Sequence, residues 1–234
     1  EQLGMGTDAA FAQAIWIGVI SVIFTVLGLM AVDRIGRRPM IIGGMVWIII
    51  SLSICFYGFK TASYSINQGH ITELTELSNK DRLNTLVGKS CASDVDFKKA
   101  ITETLGEEDS KEYADTLLKK AVSINGLLIL IGILSFVAAF QSTIGPVMWV
   151  LFSEIFPISN RGIAIPFFTF ITSITSSLVQ TFFPWQLENL GISSTLLFYA
   201  STVAIGLVIL FIYLKETKNM TIEEVQLILA PKRK

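Results

Sequence analysis

Long apolar stretches alternate with short polar links along most of this chain. The stretches lie near residues 9–32, 40–59, 122–153, 162–186 and 194–214, and charged side chains are nearly absent from them. Each one reaches the ~20 residues that a helix needs to cross a bilayer, and the third is long enough to hold a break or a tilted extension. The pattern therefore predicts an all-α integral membrane chain with five transmembrane helices.

The segment 60–121 breaks this pattern, because acidic and basic residues are crowded into it. Phe97 and Ile101 lie four residues apart, and Tyr113 and Leu117 repeat the same interval. Apolar residues at this spacing form one face of an amphipathic helix. We expect a small, helical, extracytoplasmic insert here. A disordered loop is the alternative that the same residues leave open.

Composition excludes several classes of protein. The chain is 52% hydrophobic and 16% charged, whereas soluble domains carry roughly a quarter of charged residues. The net charge of −1 offers nucleic acid no basic surface, and a single His is poor material for a metal site. Cys55 falls in an apolar stretch and Cys91 in the insert, so we expect no disulfide between them. The chain begins with Glu1 rather than Met, which is consistent with a fragment.

The short loops predict how the chain is oriented. Arg34, Arg37 and Arg38 lie in the first link, and lysines follow the last apolar stretch in the tail 215–234. The link 187–193 has no Lys or Arg. Because cytoplasmic loops carry an excess of Lys and Arg, the first link and the C-terminal tail are expected in the cytoplasm. The protein is then a multi-pass protein of the inner (plasma) membrane, with the insert outside.

The third stretch contains a helix breaker, Pro146, directly after Gly145. Proline removes a helical hydrogen bond, and a membrane tolerates this only where neighbours or a cavity satisfy the backbone. Gln141, Gly145 and Trp149 are four residues apart and share one face. An amide and an aromatic ring suit a sugar, so a substrate site at this break is one interpretation. A kinked helix with an interfacial Trp is the other.

Small hydroxyl residues are frequent in the fourth stretch, and Ser21 and Thr25 share one side of the first. Such residues let helices pack closely and bond across them, which accounts for most of these positions. One or two of them are expected to line a polar cavity. The members in the fourth stretch are Thr169, Thr172, Ser173, Thr175, Ser176 and Ser177.

Charges of both signs are expected to gather at the cytoplasmic end. They are ordinary membrane-edge charge or a set of ion pairs that must break when the inner face opens. Nothing in the sequence resembles a catalytic constellation, so we expect no enzymatic activity. The charged residues concerned are Asp33, Arg34, Arg37, Arg38, Glu154, Arg161 and Glu216.

Three motifs resemble one family. Residues 33–38 resemble a D-x-x-G-R-R loop, and 145–149 with 153–157 and Arg161 resemble a tenth-helix signature. Residues 215–218 resemble P-E-T-K, with Lys in place of Pro. In this order they resemble the C-terminal half of a sugar porter of the major facilitator superfamily. The similarity is greatest to bacterial xylose/arabinose-type sugar:proton symporters, and it covers nearly the whole chain outside 60–121.

The resemblance implies a twelve-helix fold of which this chain supplies helices eight to twelve. Residues 1–59 would form helices eight and nine with the arginine loop, and 122–214 would form helices ten to twelve. The insert 60–121 and the cytoplasmic tail 215–234 complete the chain. The implied partners are a sugar, the lipid bilayer and the missing N-terminal half, which would carry further sugar contacts and the proton-coupling acid.

The resemblance also implies roles for residues. Trp149 would stack on or bond the sugar, Gly145 would allow close approach, and Phe140 and Gln141 would lie beside the cavity. The chain departs from the family at three positions, where smaller side chains leave the identity of the substrate open. Thr172 and Ser173 stand where a polar residue and Trp are usual, and Ser21 stands where Asn is frequent. The seven charged residues match the family's inner salt-bridge network, which holds the outward-open state.

The resemblance implies secondary active transport of a pentose or hexose across the cytoplasmic membrane by alternating access. Proton symport is expected, with the proton as coupling ion and no other cofactor. A facilitative uniporter for a sugar or cyclitol and a transporter-like sugar sensor are the alternatives.

Overall fold

The computed structural model describes residues 7–65, 90–91, 94–106, 122–156, 158–220 and 224–225, and these are nearly all helical. A π-helical segment, Phe140–Ile144, joins the fourth and fifth helices. The elements in chain order are α1 (Thr7–Ile35), α2 (Arg37–Lys60), β1 (Ser63–Ser65), β2 (Ser90–Cys91), α3 (Asp94–Leu105), β3 (Val122–Ser123), α4 (Gly126–Ala139), α5 (Gly145–Ile155) and α6 (Ile158–Tyr213).

Four helical stretches of the described chain are long and apolar enough to cross a membrane: Ala14–Ile35, Arg37–Lys60, Gly126–Ile155 and Ser159–Tyr213. The last has 55 residues, a length of about 82 Å, more than twice the ~30 Å hydrocarbon core. Its backbone leaves the helical region at Gly191, with φ 77° and ψ 166°. The prediction of an all-α membrane chain is confirmed. The four stretches become the five predicted transmembrane helices when the break at Gly191 divides the last one in two.

Gly36 forms the turn between α1 and α2. Its φ of 105° lies in the left-handed region, which side chains with a Cβ rarely adopt. A Cβ at this position would also come 2.8 Å from Oε2 of Glu216. Backbone conformation and packing therefore both require glycine here, and the turn places Arg37 at the start of α2.

The insert contains more than helix. Phe97 and Ile101 are buried on α3, which lies where the amphipathic spacing is. Strand β1 pairs antiparallel with both β2 and β3, in the order β2-β1-β3. The sequence prediction did not include this sheet, because strands of two or three residues are too short to show alternation. The second repeat, at residues 113–117, lies outside the described residues.

The chain divides into two compact units. The first comprises Glu1–Trp16, Leu52–Ile133 and Gln186–Phe198. Within it, small residues bring helices close together: a Cβ at Gly58 would come 2.9 Å from side-chain atoms of Leu128 and Ile129. The Cys55 thiol is buried and unpaired, 3.9 Å from the carbonyl oxygen of Ile129.

The second unit comprises Ile17–Ser51, Leu134–Trp185 and Tyr199–Lys234, and it contains every residue of the candidate site. Its apolar core joins α1, α2 and α5, and residues of α6 such as Leu207 pack against it. These contacts hold in place the helix ends that carry the charged residues. The buried members are Val32, Met40, Ile41, Met45, Val147 and Leu151.

The π-helical segment interrupts the third membrane-length stretch just before Pro146. Because proline has no N–H, the carbonyl of Ser142 loses its α-helical partner. Gly28 of α1 lies against that carbonyl so closely that a Cβ would collide with it. Gly44 of α2 packs in the same way on the side chain of Thr143. The sequence predicted a break at this position, and the structure shows it as a π-helical turn closed by Gly145 N–H donating to the Phe140 carbonyl.

Candidate functional site

A polar groove runs along one face of α6, beside Trp149 of α5. Its volume is about 400 Å³. Thr172 and Ser173, the two positions that the family resemblance singled out on this helix, both line it together with Trp149. The full lining is Trp149, Thr169, Thr172, Ser173, Ser176, Ser177 and Gln180.

Trp149 forms the aromatic wall of the groove, and 53% of its surface is exposed. Its ring meets Phe152 edge to face, with centroids 6.2 Å apart, and Phe152 stacks on Phe168 at 5.5 Å. Such aromatic contacts favour one orientation of the indole. Its N–H has no hydrogen-bond partner among the described residues. The indole therefore offers one donor and an accessible apolar surface.

Three of the five hydroxyl side chains that line the groove are bonded to their own helix. Thr169, Thr172 and Ser173 donate to main-chain carbonyls four residues earlier, at 2.8, 2.8 and 2.9 Å. A hydroxyl that has given its hydrogen to the backbone keeps lone pairs for an incoming donor. These three side chains therefore face the groove as hydrogen-bond acceptors.

Gln180 lines the groove, although the sequence analysis did not name it. Its amide nitrogen lies 3.1 Å from Oγ of Ser176. The sequence signal was present, because Gln180 follows Ser176 by four residues and Thr172 by eight, which puts all three on one helical stripe. By the same geometry Thr175, which the sequence analysis grouped with them, does not line the groove.

The other proposed sugar contacts are not part of the groove lining. Phe140 and Gln141 belong to the π-helical segment, and a Cβ at Gly145 would come 3.3 Å from Oε1 of Gln141. Ser21 donates to the carbonyl of Ile17 at 2.7 Å. None of these four predicted site residues is among the residues that line the Trp149 groove. The structure thus brings together Trp149, Thr172 and Ser173 and leaves the other four outside.

A second cavity, of about 300 Å³, is mostly apolar. It lies between α1, α2 and the π-helical segment, where the glycine contacts bring these elements together. Its lining includes Phe24, Gly28, Met40, Gly44, Trp47 and Thr143. It contains no side chain that the sequence analysis assigned to substrate.

Arg37 is the centre of the charged cluster. Its Nε and Nη2 both donate to Oε1 of Glu154, at 3.0 and 2.6 Å. The Arg37 side chain is 12% exposed and that of Glu154 24%, whereas Asp33, 3.2 Å from Arg37 Nη2, is 78% exposed. A short pair shielded from water is stronger than one in bulk solvent. The Glu154 pair therefore dominates.

Glu216 takes part in the cluster through main-chain groups. Its Oε1 accepts hydrogen bonds from the N–H of Arg37 at 3.0 Å and of Lys218 at 2.9 Å, and its Oε2 accepts one from Arg38 at 3.1 Å. The first N–H groups of a helix have no partner within the helix and attract negative charge. Glu216 thus caps the start of α2, whereas the sequence analysis grouped it with the ion pairs. Thr217 adds a bond from its hydroxyl to Oε2 of Glu154 at 2.7 Å.

The remaining arginines make contacts of other kinds. Arg161 donates to the carbonyls of Ser153 and Phe156 at the end of α5. Arg38 donates to the carbonyl of Phe211 at 3.0 Å and lies over its ring. Arg34 contributes its main-chain carbonyl, which accepts from Lys218. Among the described residues, ion pairs therefore join three of the seven charged residues, and main-chain contacts hold the rest.

Within the described ranges, no group of three or more His, Cys, Asp or Glu side chains is arranged to hold a metal ion. The groove lining itself contains no ionisable side chain. The chemistry that the groove offers is therefore neutral hydrogen bonding and aromatic contact.

The sequence matches the family model described as "Sugar (and other) transporter" over residues 1–74 and 112–229. The unmatched residues 75–111 fall inside the insert. The groove, the π-helical segment and the charged cluster all lie in the matched part.

Curated relatives align with nearly the whole chain. The D-xylose-proton symporter of Escherichia coli (strain K12) is 25% identical over 100% of this chain and 36% of its own length. The probable metabolite transport protein CsbC of Bacillus subtilis (strain 168) is 23% identical over 95% of this chain and 36% of its own length. The chain therefore spans little more than a third of these relatives.

A solved structure has the same fold. It is the proton:xylose symporter of the major facilitator superfamily bound to 6-bromo-6-deoxy-D-glucose. The TM-score is 0.60 at 24% identity, and the alignment covers 97% of this chain and 36% of that one. The helices described above therefore form part of a major facilitator fold.

Proposed function

Because this chain belongs to the sugar (and other) transporter family, we propose that it is the C-terminal part of a sugar carrier. The Trp149 groove forms one wall of the sugar site, and the part of the protein outside this chain supplies the facing wall. The substrate class is a pentose or hexose, in keeping with the D-xylose symporter among its relatives. The protein binds and moves its substrate without chemical change.

The position of the groove in the membrane supports this proposal. Thr172 and Ser173 lie within two residues of the middle of the segment 158–190 that precedes the Gly191 break. A stripe of polar side chains at the centre of a membrane helix, ending in the amide of Gln180, is expected to face a cavity or another helix. Transporters of this architecture bind substrate near the midplane, where the groove lies.

The chemistry of the groove suits a sugar. A sugar presents hydroxyl donors, which the acceptor oxygens of Thr169, Thr172 and Ser173 can satisfy. Its C–H face is apolar and matches the exposed indole of Trp149. Pockets for small ligands combine apolar or aromatic surface with placed polar groups that fix the orientation of the ligand, and this groove offers both.

The charged cluster has a place in the same proposal. Alternating access requires an inner face that opens and closes during each cycle. Arg37, Glu154 and the Glu216 cap hold the ends of α1, α2, α5 and α6 together within the second unit. We assign this cluster to the cytoplasmic side, with the C-terminal tail, and its bonds stabilise the state in which the inner face is closed. The carrier is then a multi-pass protein of the plasma membrane.

Proton coupling is part of the proposal, and the coupling acid lies outside this groove, whose lining has no carboxylate. A facilitative uniporter is the second candidate, because a neutral groove binds sugar equally well without a proton. A sensor would share the groove and the binding while lacking transport.

The test is uptake of labelled pentoses, hexoses and inositol by the full-length protein in sealed vesicles, with and without an inward proton gradient. Accumulation of one sugar above its outside concentration, abolished by a protonophore, is the expected result. Equilibration that ignores the gradient identifies the uniporter. Binding without uptake identifies the sensor, and neither binding nor uptake of any sugar contradicts the proposal.

A further inference from the structure

The groove has few groups that can donate a hydrogen bond to a ligand. The hydroxyls of Thr169, Thr172 and Ser173 are committed to the backbone as donors. A sugar hydroxyl is both a donor and an acceptor, so a site that recognises it fully needs donors as well. Of the other lining residues, Ser176 and Ser177 each carry one hydroxyl and Trp149 carries one N–H, whereas the amide of Gln180 carries two N–H donors and an acceptor oxygen in one group.

The Gln180 amide is held where a sugar in the groove can reach it. Its nitrogen lies 3.1 Å from Oγ of Ser176, so the side chain turns back by one helical turn. Ser176 is four residues from Thr172, which is about 6 Å along the helix axis. One N–H and the amide oxygen then remain for a ligand that contacts Thr172.

Both polar and apolar residues surround Gln180 on its helix: Ser176 and Ser177 lie one turn before it and line the same groove, and apolar side chains lie beside it. Leu178 and Phe182, on either side of it, are apolar and more than half exposed. An amide in hydrocarbon is unfavourable unless its polar atoms are hydrogen-bonded, so Gln180 is expected to face a polar cavity. Its position on the stripe of Thr172 and Ser176 places it in the groove.

We propose that Gln180 determines the specificity of the sugar site by donating to and accepting from one sugar hydroxyl. The proposal rests on the sugar-carrier function above. A site built to bond a hydroxyl rejects the analogue that lacks it, because its own polar groups are left unpaired. Removing the amide should therefore remove the discrimination at that one hydroxyl.

The experiment uses the full-length protein in vesicles, the sugar that it transports and the set of analogues that each lack one hydroxyl. For each, kcat/KM of uptake is measured in the unaltered protein and in Gln180→Leu and Gln180→Met, which are of similar size. The control is Thr181→Val. Thr181 is the adjacent residue, bonds the carbonyl of Ser177 at 2.9 Å and does not line the groove.

The expected result is selective. In the unaltered protein, kcat/KM for one analogue is at least ~10-fold lower than kcat/KM for the parent sugar. In both Gln180 variants, the ratio of kcat/KM for the parent sugar to kcat/KM for that analogue drops to within about twofold of one. The reason is that uptake of the parent sugar falls, whereas uptake of the analogue does not. The ratios for the other analogues stay as they were, and Thr181→Val changes none of them.

Unchanged ratios in both Gln180 variants, or an equal loss for all substrates, overturn the proposal, since a purely structural residue gives that pattern. If one Gln180 variant loses all uptake, the other variant still provides the comparison. Protection of the protein by the same analogues against thermal unfolding measures their binding in a variant that does not transport. Absence of uptake and binding in the unaltered protein overturns the proposed function itself, and this inference with it.

Discussion

At the scale of single residues, the groove depends on a few side chains whose partners are now known. Trp149 has a ring that is more than half exposed and held at its edge by Phe152. Thr172 and Ser173 present acceptor oxygens beside it. The function proposed for the protein requires that each of these contributes to sugar affinity and little to folding.

Replacing Trp149 by Ala should raise the KM of sugar uptake by about 3- to 10-fold, because an aromatic contact contributes roughly 0.5–1.5 kcal/mol. Trp149→Phe retains a ring and should lose less than Ala does. Since the side chain is largely exposed, the expression level should stay close to that of the unaltered protein. An unchanged KM in Trp149→Ala would remove this residue from the site.

Thr172 and Thr175 form a matched pair for testing the groove. Both hydroxyls donate to a carbonyl one turn earlier, at 2.8 and 2.9 Å, but only Thr172 lines the groove. Thr172→Val should raise KM by about 3- to 10-fold, because it deletes one hydrogen bond to substrate worth roughly 0.5–1.5 kcal/mol. Thr175→Val should leave KM unchanged, and equal effects of the two would argue against a sugar contact at Thr172.

At the scale of elements, glycines in α1 and α2 fix how closely these helices approach the π-helical segment. Gly28 meets the main-chain carbonyl of Ser142, and Gly44 meets the side chain of Thr143. Gly43, the neighbour of Gly44, has open space where a Cβ would be. Of these two neighbouring glycines of α2, only Gly44 is needed for the close contact with the π-helical segment.

Gly44→Ala should destabilise the full-length protein, whereas Gly43→Ala should not. The added methyl of the first collides with Thr143, and such overpacking typically costs 1–3 kcal/mol. The measurement is the thermal midpoint of the purified protein in detergent for both variants. Because Ala favours a helix more than Gly does, propensity alone would not lower either midpoint. If Gly43→Ala lowers the midpoint as much as Gly44→Ala does, the collision with Thr143 is not the cause.

Much of the element pattern was predictable because long apolar runs and helix breakers are local signals. Pro146 marked the break in the third stretch, but proline alone does not specify a π-helical turn, which depends on Gly28 approaching from another helix. The strands at Ser63–Ser65 and Val122–Ser123 pair across a long separation in sequence and left no local pattern. Gln180 was missed because none of the three family motifs includes it, although its spacing from Thr172 and Ser176 puts it on the same helical stripe.

At the scale of the whole molecule, the proposed function makes this chain part of a carrier whose cycle opens and closes an inner face. The sequence predicted the membership of the charged cluster through its motifs. It did not predict that Glu216 caps a helix or that Arg161 binds carbonyls, because main-chain partners have no sequence signature. The ion pair of Arg37 with Glu154 is thus the strongest candidate for a bond that must break during transport.

Glu154→Gln should shift the population towards the state with its inner face open. Arg37 is mostly buried and would lose its closest anion, at a cost of about 1–3 kcal/mol, or roughly 5- to 150-fold in the equilibrium. Asp33→Asn is the control, because the Asp33 side chain is 78% exposed and contributes little to the same arginine. The measurement is the labelling rate of a groove cysteine from the cytoplasmic side of inside-out vesicles. A rate equal to that of Asp33→Asn would indicate ordinary edge charge.

The central claim is that sugar occupies the groove beside Trp149, and the most direct test is protection of a cysteine placed there. Ser173→Cys is introduced into the full-length protein after its native cysteines are replaced by serine, and its alkylation rate is measured in vesicles. We expect a saturating concentration of the transported sugar to slow alkylation several-fold, while a sugar that is not transported has no effect. An alkylation rate that is the same with and without the transported sugar would contradict the account.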